Sequence, residues 1–180
     1  MTTATLITAD QFDRMSFDAP VELIRGEIVE MTNPGGRHGG VCVRAARVLD
    51  NWVDQHPEFQ VISNDSGILL ERDPDTVRGP DLAVVQLSSF PGMELPIGHL
   101  KIAPSVAIEV LSPSDRWREV LQKVYLFLSA GVAEVWVLDP EVEQLHFFSD
   151  SGSKIYDADK LFASVVLTDF ECTVRSLFHR

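Results

Sequence analysis

Apolar positions recur along this chain with two periods, and the switches between them mark its elements. Val41, Ala45, Val48, Leu49 and Trp52 fall three and four apart, which predicts a helix over 41–55 that ends before Pro57. Val120, Leu121, Val124, Phe127 and Leu128 repeat that spacing. This second helix has Ser114 or Asp115 as its N-cap and Gly131 as its left-handed closing residue. Thr8 and Gln11 form a capping box, so a short helix runs to about Met15. Shorter apolar runs bounded by turn residues read as strands. They are 21–24 and 27–31 as a hairpin around Arg25-Gly26, then 59–63, 67–71, a strand beginning near Asp81, 106–111, and the pair 135–138 and 144–148 around Asp139-Pro140. The glycine-rich 32–40 and the Pro- and Gly-rich 86–103 read as loops, 72–76 as a charged turn, and 163–178 as a tail apolar enough to pack back on the body. This order predicts an α/β (α+β) fold with a mixed sheet, formed by a single domain over 1–180.

Two of the strands carry an acid where a charge is costly: Gly79-Pro80-Asp81-Leu-Ala-Val-Val and Val106-Ala-Ile-Glu109-Val-Leu111. Residues two apart in a strand share a face, so Val106, Ile108 and Val110 point one way and Ala107, Glu109 and Leu111 the other. Glu109 thus interrupts an apolar face, and a buried carboxylate takes up a proton unless a cation compensates it. If the two strands are neighbours, Asp81 and Glu109 meet; the sequence leaves that pairing open. Two carboxylates helped by a backbone carbonyl, for which Val110 is the candidate, and by waters suit Mg²⁺ or Mn²⁺. Such an ion polarises a phosphoryl oxygen and lowers the pKa of an attacking water, and a lysine beside it offsets charge in the transition state. Plainer readings stand beside these: Asp81 as a strand opener, and Glu109 as the partner of Arg116 in a salt bridge.

Composition narrows the choice. The 180 residues carry 15 Lys and Arg against 27 Asp and Glu, a formal net charge of −12. That balance counts against nonspecific nucleic-acid binding while allowing a local basic patch. Cys42 and Cys172 are too few and too separated for a disulfide framework or an all-cysteine zinc site, so both read as buried free thiols in a reducing compartment. No apolar run approaches the ~20 residues that span a bilayer, and the N-terminus has neither a basic region nor a useful apolar stretch. The expectation is a soluble, cytoplasmic protein without membrane partners. The loop Pro34-Gly-Gly-Arg-His-Gly-Gly40 lacks the Gly-Lys-Ser/Thr of a phosphate loop, and no nucleophile-elbow motif accompanies Ser112 or Ser114.

Pro80-Asp81 followed by Glu109-Val110-Leu111 resembles the PD-(D/E)XK motif of the restriction-endonuclease-like superfamily, with Leu111 where the motif has lysine. More specifically, five phrases in order resemble the Uma-type restriction-endonuclease family: Glu22 to Met31 with His38, Pro80 to Val85, Ile108 to Ser114, Lys123-Val-Tyr125, and Gly131 to Pro140. The resemblance implies a restriction-endonuclease-like core, a mixed sheet flanked by helices, with Asp81 and Glu109 as metal ligands. It implies that Lys123, on the following helix, stands in for the missing strand lysine. On the helical wheel Lys123 lies at the border of the apolar stripe, where it either reaches the site or faces water. Glu27 and His38 also match family positions, Glu27 as an extension of the metal site and His38 as a phosphate contact or proton shuttle; their plainer readings are a hairpin acid and a surface histidine. The implied function is a Mg²⁺-dependent endonuclease hydrolysing nucleic-acid phosphodiester bonds, DNA foremost, acting as a homodimer. The alternative is a catalytically inactive nuclease-fold domain serving as a binding or regulatory module.

Overall fold

A computed structural model describes residues 6–179. The first five residues of the N-terminal stretch read above lie outside the described residues. The capping box forms as expected: Thr8 and Gln11 satisfy each other's backbone amides and start helix α1, Ala9–Phe12. The hairpin also forms, as β1 (Val21–Ile24) and β2 (Glu27–Glu30), paired antiparallel with Glu22 opposite Val29 and Ile24 opposite Glu27.

Helix α2 runs from Gly36 to Val53 and so begins inside the segment read as a loop. Gly36, Gly39 and Gly40 lower intrinsic propensity, but packing decides: His38, Val41, Ala45, Leu49 and Trp52 form one buried stripe. After it come β3 (Phe59–Ser63), β4 (Ile68–Glu71), β5 (Thr76–Arg78) and β6 (Leu82–Gln86). The brief β5 lies at the end of the stretch read as a charged turn; it joins the hairpin and β4 in a four-stranded sheet ordered β2-β1-β5-β4.

Next are β7 (Val106–Val110), α3 (Trp117–Ser129), β8 (Glu134–Asp139), β9 (Gln144–Ser149) and β10 (Gly152–Asp157). Neither expected N-cap starts α3. Arg116 occupies the cap position, and the Asp115 carboxylate instead accepts the Ser112 amide proton at 2.8 Å, tightening the preceding turn. Gly131, at φ 98°, ends the helix as expected. A six-stranded sheet results, ordered β10-β9-β8-β7-β6-β3, with β7 and β8 parallel across α3 and all other neighbours antiparallel.

Each face of that sheet has its own core. Val106, Ile108 and Val110 pack with Leu82, Trp136 and the α2 stripe, while Ala107, Val135 and Val137 pack with Val124 and Phe127 of α3. The alternation read from β7 is therefore correct. The tail packs on the α2 side through Phe170, Val174, Leu177 and Phe178, around the short pair β11 (Leu161–Ala163) and β12 (Glu171–Thr173). No helix among the described residues is long and apolar enough to cross a membrane.

Candidate active site

The strand pairing that the sequence left open places β6 beside β7, with Leu82 opposite Ile108. Continuing that antiparallel register by one residue brings Asp81, just before β6, level with Glu109 near the end of β7. The Val110 amide donates to Asp81 Oδ2 at 2.6 Å, so the backbone of one strand fixes the acid of the other. Both acids line a cleft of about 850 Å³ closed by α2, α3 and the loop before Leu100.

Glu109 points under α3, where Lys123 Nζ lies 2.8 Å from its Oε1 and donates to Oε2 at 3.0 Å. Lys123 therefore turns inward from its border position, and Arg116, the alternative partner for Glu109, instead lies exposed beside Glu119. Burial, relieved in part by Lys123 and reinforced by the Asp81 charge, pushes the Glu109 carboxyl up to about 7. Burial alone would lower the Lys123 ammonium, but Glu109 and Glu22 outweigh it and hold the group above its ordinary value.

A second buried acid shows what a purely structural carboxylate looks like in this fold. Glu134 accepts hydrogen bonds from Trp136 Nε1, the Ser164 hydroxyl and the Val165 and Val166 amides, which together anchor the C-terminal segment. Glu109 has no such set: its Oε1 is shielded from solvent and receives no aligned hydrogen bond, despite the nearby ammonium. A buried oxygen left in that state is costly for structure alone and suited to a cation.

His38 extends the α2 stripe one turn toward the cleft. Its Nε2 lies 3.1 Å from Asp81 Oδ1 and its Nδ1 3.6 Å from Cys42 Sγ. The hydrogen bond to Asp81, then that to Cys42, push the imidazole up to about 10 against the opposing effect of burial. That shift favours the imidazolium form, which sets His38 beside Asp81 as a cation rather than as a base.

Glu27 is a correction. It is exposed at the turn end of β2, opposite Ile24, and does not line the cleft. Glu22 stands in the cleft instead: Arg78 Nε donates to it at 2.7 Å, the Gly79 amide at 3.3 Å, and Lys123 Nζ lies 3.9 Å away. Strand parity does not separate the two acids, because Glu22, Ile24 and Glu27 share one face of the hairpin; Glu22 differs in lying away from the turn, where Arg78 and Lys123 reach it. Asp65, for which the sequence held no signal, also faces the cleft. Desolvation there, and then the Asp81 charge, raise its carboxyl. Gly79 fixes the Asp65 backbone, because a Cβ at 79 would fall 2.1 Å from the Asp65 carbonyl oxygen.

The donor set fits a hard divalent ion. Asp81 and Glu109 offer carboxylate oxygens, the carbonyl of Val110 is adjacent, and acids outnumber Lys and Arg around the cleft, with Asp13, Glu22, Asp65, Asp115 and Glu119 on the one side and Arg78, Arg116 and Lys123 on the other.

No curated protein matches this chain. A crystal structure described as "a putative nuclease belonging to DUF820 from Anabaena variabilis" shares the fold, with a TM-score of 0.80 and 22% identity over 96% of this chain and 97% of that one. The Uma2 family model, described as "Putative restriction endonuclease", matches residues 9–175, and the chain belongs to that family.

Proposed function

We propose that this protein is a metal-dependent endonuclease, hydrolysing phosphodiester bonds of nucleic acid, with Asp81 and Glu109 as its metal ligands and Lys123 as its catalytic cation. The observation that carries this reading is Glu109 itself: a shielded carboxylate with one oxygen lacking an aligned donor, level with Asp81 and touched by a lysine. Family membership and the fold support it.

Asp81, Glu109 and the Val110 carbonyl would hold Mg²⁺ or Mn²⁺, and the bound ion supplies Lewis-acid polarisation of the scissile phosphate and a more acidic water. The remaining work belongs to the chain's own residues. Lys123, charged and held by Glu109 and Glu22, orients the attacking water and offsets charge growing on the phosphate oxygens. The Val110 amide keeps Asp81 from rotating away. His38 neutralises Asp81 on the α2 side, and Arg116, exposed at the cleft mouth, offers a contact to a neighbouring phosphate. Because acids are in the majority around the cleft, a chain of charge −12 would accept a polyanion there chiefly through the charge of the bound ion.

On the same reading the substrate is DNA, a second copy of the chain supplies the cut on the opposite strand, and the protein works in the cytoplasm. The test is incubation of the purified chain with single- and double-stranded DNA and RNA, with Mg²⁺, Mn²⁺ or a chelator. Cleavage that needs the ion and is lost in Asp81→Asn supports the proposal. Mn²⁺ binding in calorimetry without cleavage of any substrate would instead favour the inactive binding module.

A further inference from the structure

Cys42 touches the cleft machinery, and the proposed hydrolysis makes no use of it. It follows His38 by one helical turn on α2, and the imidazole between them presents one nitrogen toward Cys42 Sγ at 3.6 Å and the other toward Asp81 Oδ1 at 3.1 Å. The nitrogen, sulfur and carboxylate donors lie within 4.8 Å of one another, the one such trio of His, Cys and acid among the described residues. We propose that His38, Cys42 and Asp81 form a second metal site, selective for a borderline divalent ion of the Zn²⁺ class, that adjoins the carboxylate site and shares Asp81 with it.

Donor chemistry sets the selectivity. Mg²⁺ and Ca²⁺ take oxygen ligands, whereas a thiolate beside an imidazole favours Zn²⁺ or Co²⁺. The spacing suits the task as well: ligands four apart on a helix face the same side, and the third comes from a different element, the residue that opens β6. Three protein ligands leave a fourth tetrahedral position for water.

Bonds of roughly 2.0–2.3 Å around a tetrahedral ion set its donors about 3.3–3.8 Å apart, so the contact made by the nitrogen that takes the ion is already near that spacing, and side-chain rotation closes the other two donor distances from within 4.8 Å. One ion uses a single ring nitrogen. Binding therefore replaces a hydrogen bond of His38 with a metal bond and releases to solvent the Cys42 thiol proton and the proton on that nitrogen. It also commits Asp81 Oδ1 to the ion, which takes from the carboxylate site one of its ligand oxygens. Zinc occupancy and Mg²⁺ occupancy then oppose each other.

The probe is Co²⁺, titrated into the metal-free full chain and followed by its near-ultraviolet sulfur-to-cobalt charge-transfer absorption. One equivalent should bind with that band, and Zn²⁺ should displace it. The band should vanish in Cys42→Ser and Cys42→Ala and persist in Cys172→Ala, whose thiol is buried in the core and serves as the internal control. His38→Ala should weaken Co²⁺ affinity at least tenfold. A wild-type protein without the band, or a Cys42→Ser protein with native circular dichroism that keeps it, overturns the proposal. No nucleic acid enters this assay, so its failure leaves the endonuclease reading intact, and inactivity toward nucleic acid leaves the zinc site standing.

Discussion

Lys123 Nζ lies 2.8 Å from Glu109 Oε1 although the lysine belongs to α3 and the acid to β7, fourteen positions earlier. The crossover helix thus delivers a cation to Glu109, and Leu111 joins the apolar contacts beneath α3. A helix side chain of this length reaches across about 6 Å with its ammonium foremost, so the charge can sit beside β7 while its backbone stays on α3.

Lys123→Met should lower metal-supported cleavage by about 10²–10³-fold, the scale of losing one transition-state cation or donor. Lys123→Arg should not restore it, because a planar guanidinium does not reproduce the ammonium's position between Glu109 and Glu22. Single-turnover cleavage at saturating Mn²⁺ measures both, with circular dichroism to confirm folding.

Asp81→Asn and Glu109→Gln should each abolish calorimetric Mn²⁺ binding, whereas Glu27→Ala should bind Mn²⁺ as the parent does. The three variants separate carboxylates facing the cleft from one facing solvent. Retained binding in Glu109→Gln would place the ion elsewhere.

The raised carboxyl of Glu109 gives the metal-free protein a defined pH response. A group whose folded pKa exceeds its unfolded value stabilises the fold below the unfolded value, here 4.5, and that contribution is lost as pH rises through about 7. Unfolding free energy attributable to this residue should therefore fall between pH 4.5 and 7, and Glu109→Gln should flatten that part of the profile in denaturant titrations. The direct observable is the Glu109 carboxyl resonance, expected to titrate near 7 by NMR in the absence of metal.

Gly79→Ala should cost about 1–3 kcal/mol, because the new methyl meets the Asp65 backbone and one of the two segments must move. The displacement falls two residues before Asp81, so Mn²⁺ affinity should drop together with the melting temperature. A melting loss with unchanged affinity would show that the Asp65 segment yields instead.

Some of this molecule is local enough to be read from the chain. The capping box at Thr8, the hairpin at Arg25-Gly26, the alternation along β7 and the closure of α3 at Gly131 each depend on residues a few positions apart, and all form as expected. Misread stretches were those where local and distant forces disagree. Gly36 to Gly40 is a poor helix former held helical by packing of the same stripe that buries His38, and Thr76 to Arg78 becomes a strand only because β1 and β4 flank it.

The sequence by itself determined that Asp81 and Glu109 intrude on apolar strands, because a two-residue period assigns each side chain to a face whatever the topology. Only the tertiary structure decided that β6 lies beside β7, that Lys123 turns inward, that Glu22 rather than Glu27 enters the cleft, and that Cys42 meets His38 near Asp81. Those choices depend on which strands exchange backbone hydrogen bonds and which helix face is buried, and no short window of sequence contains both partners.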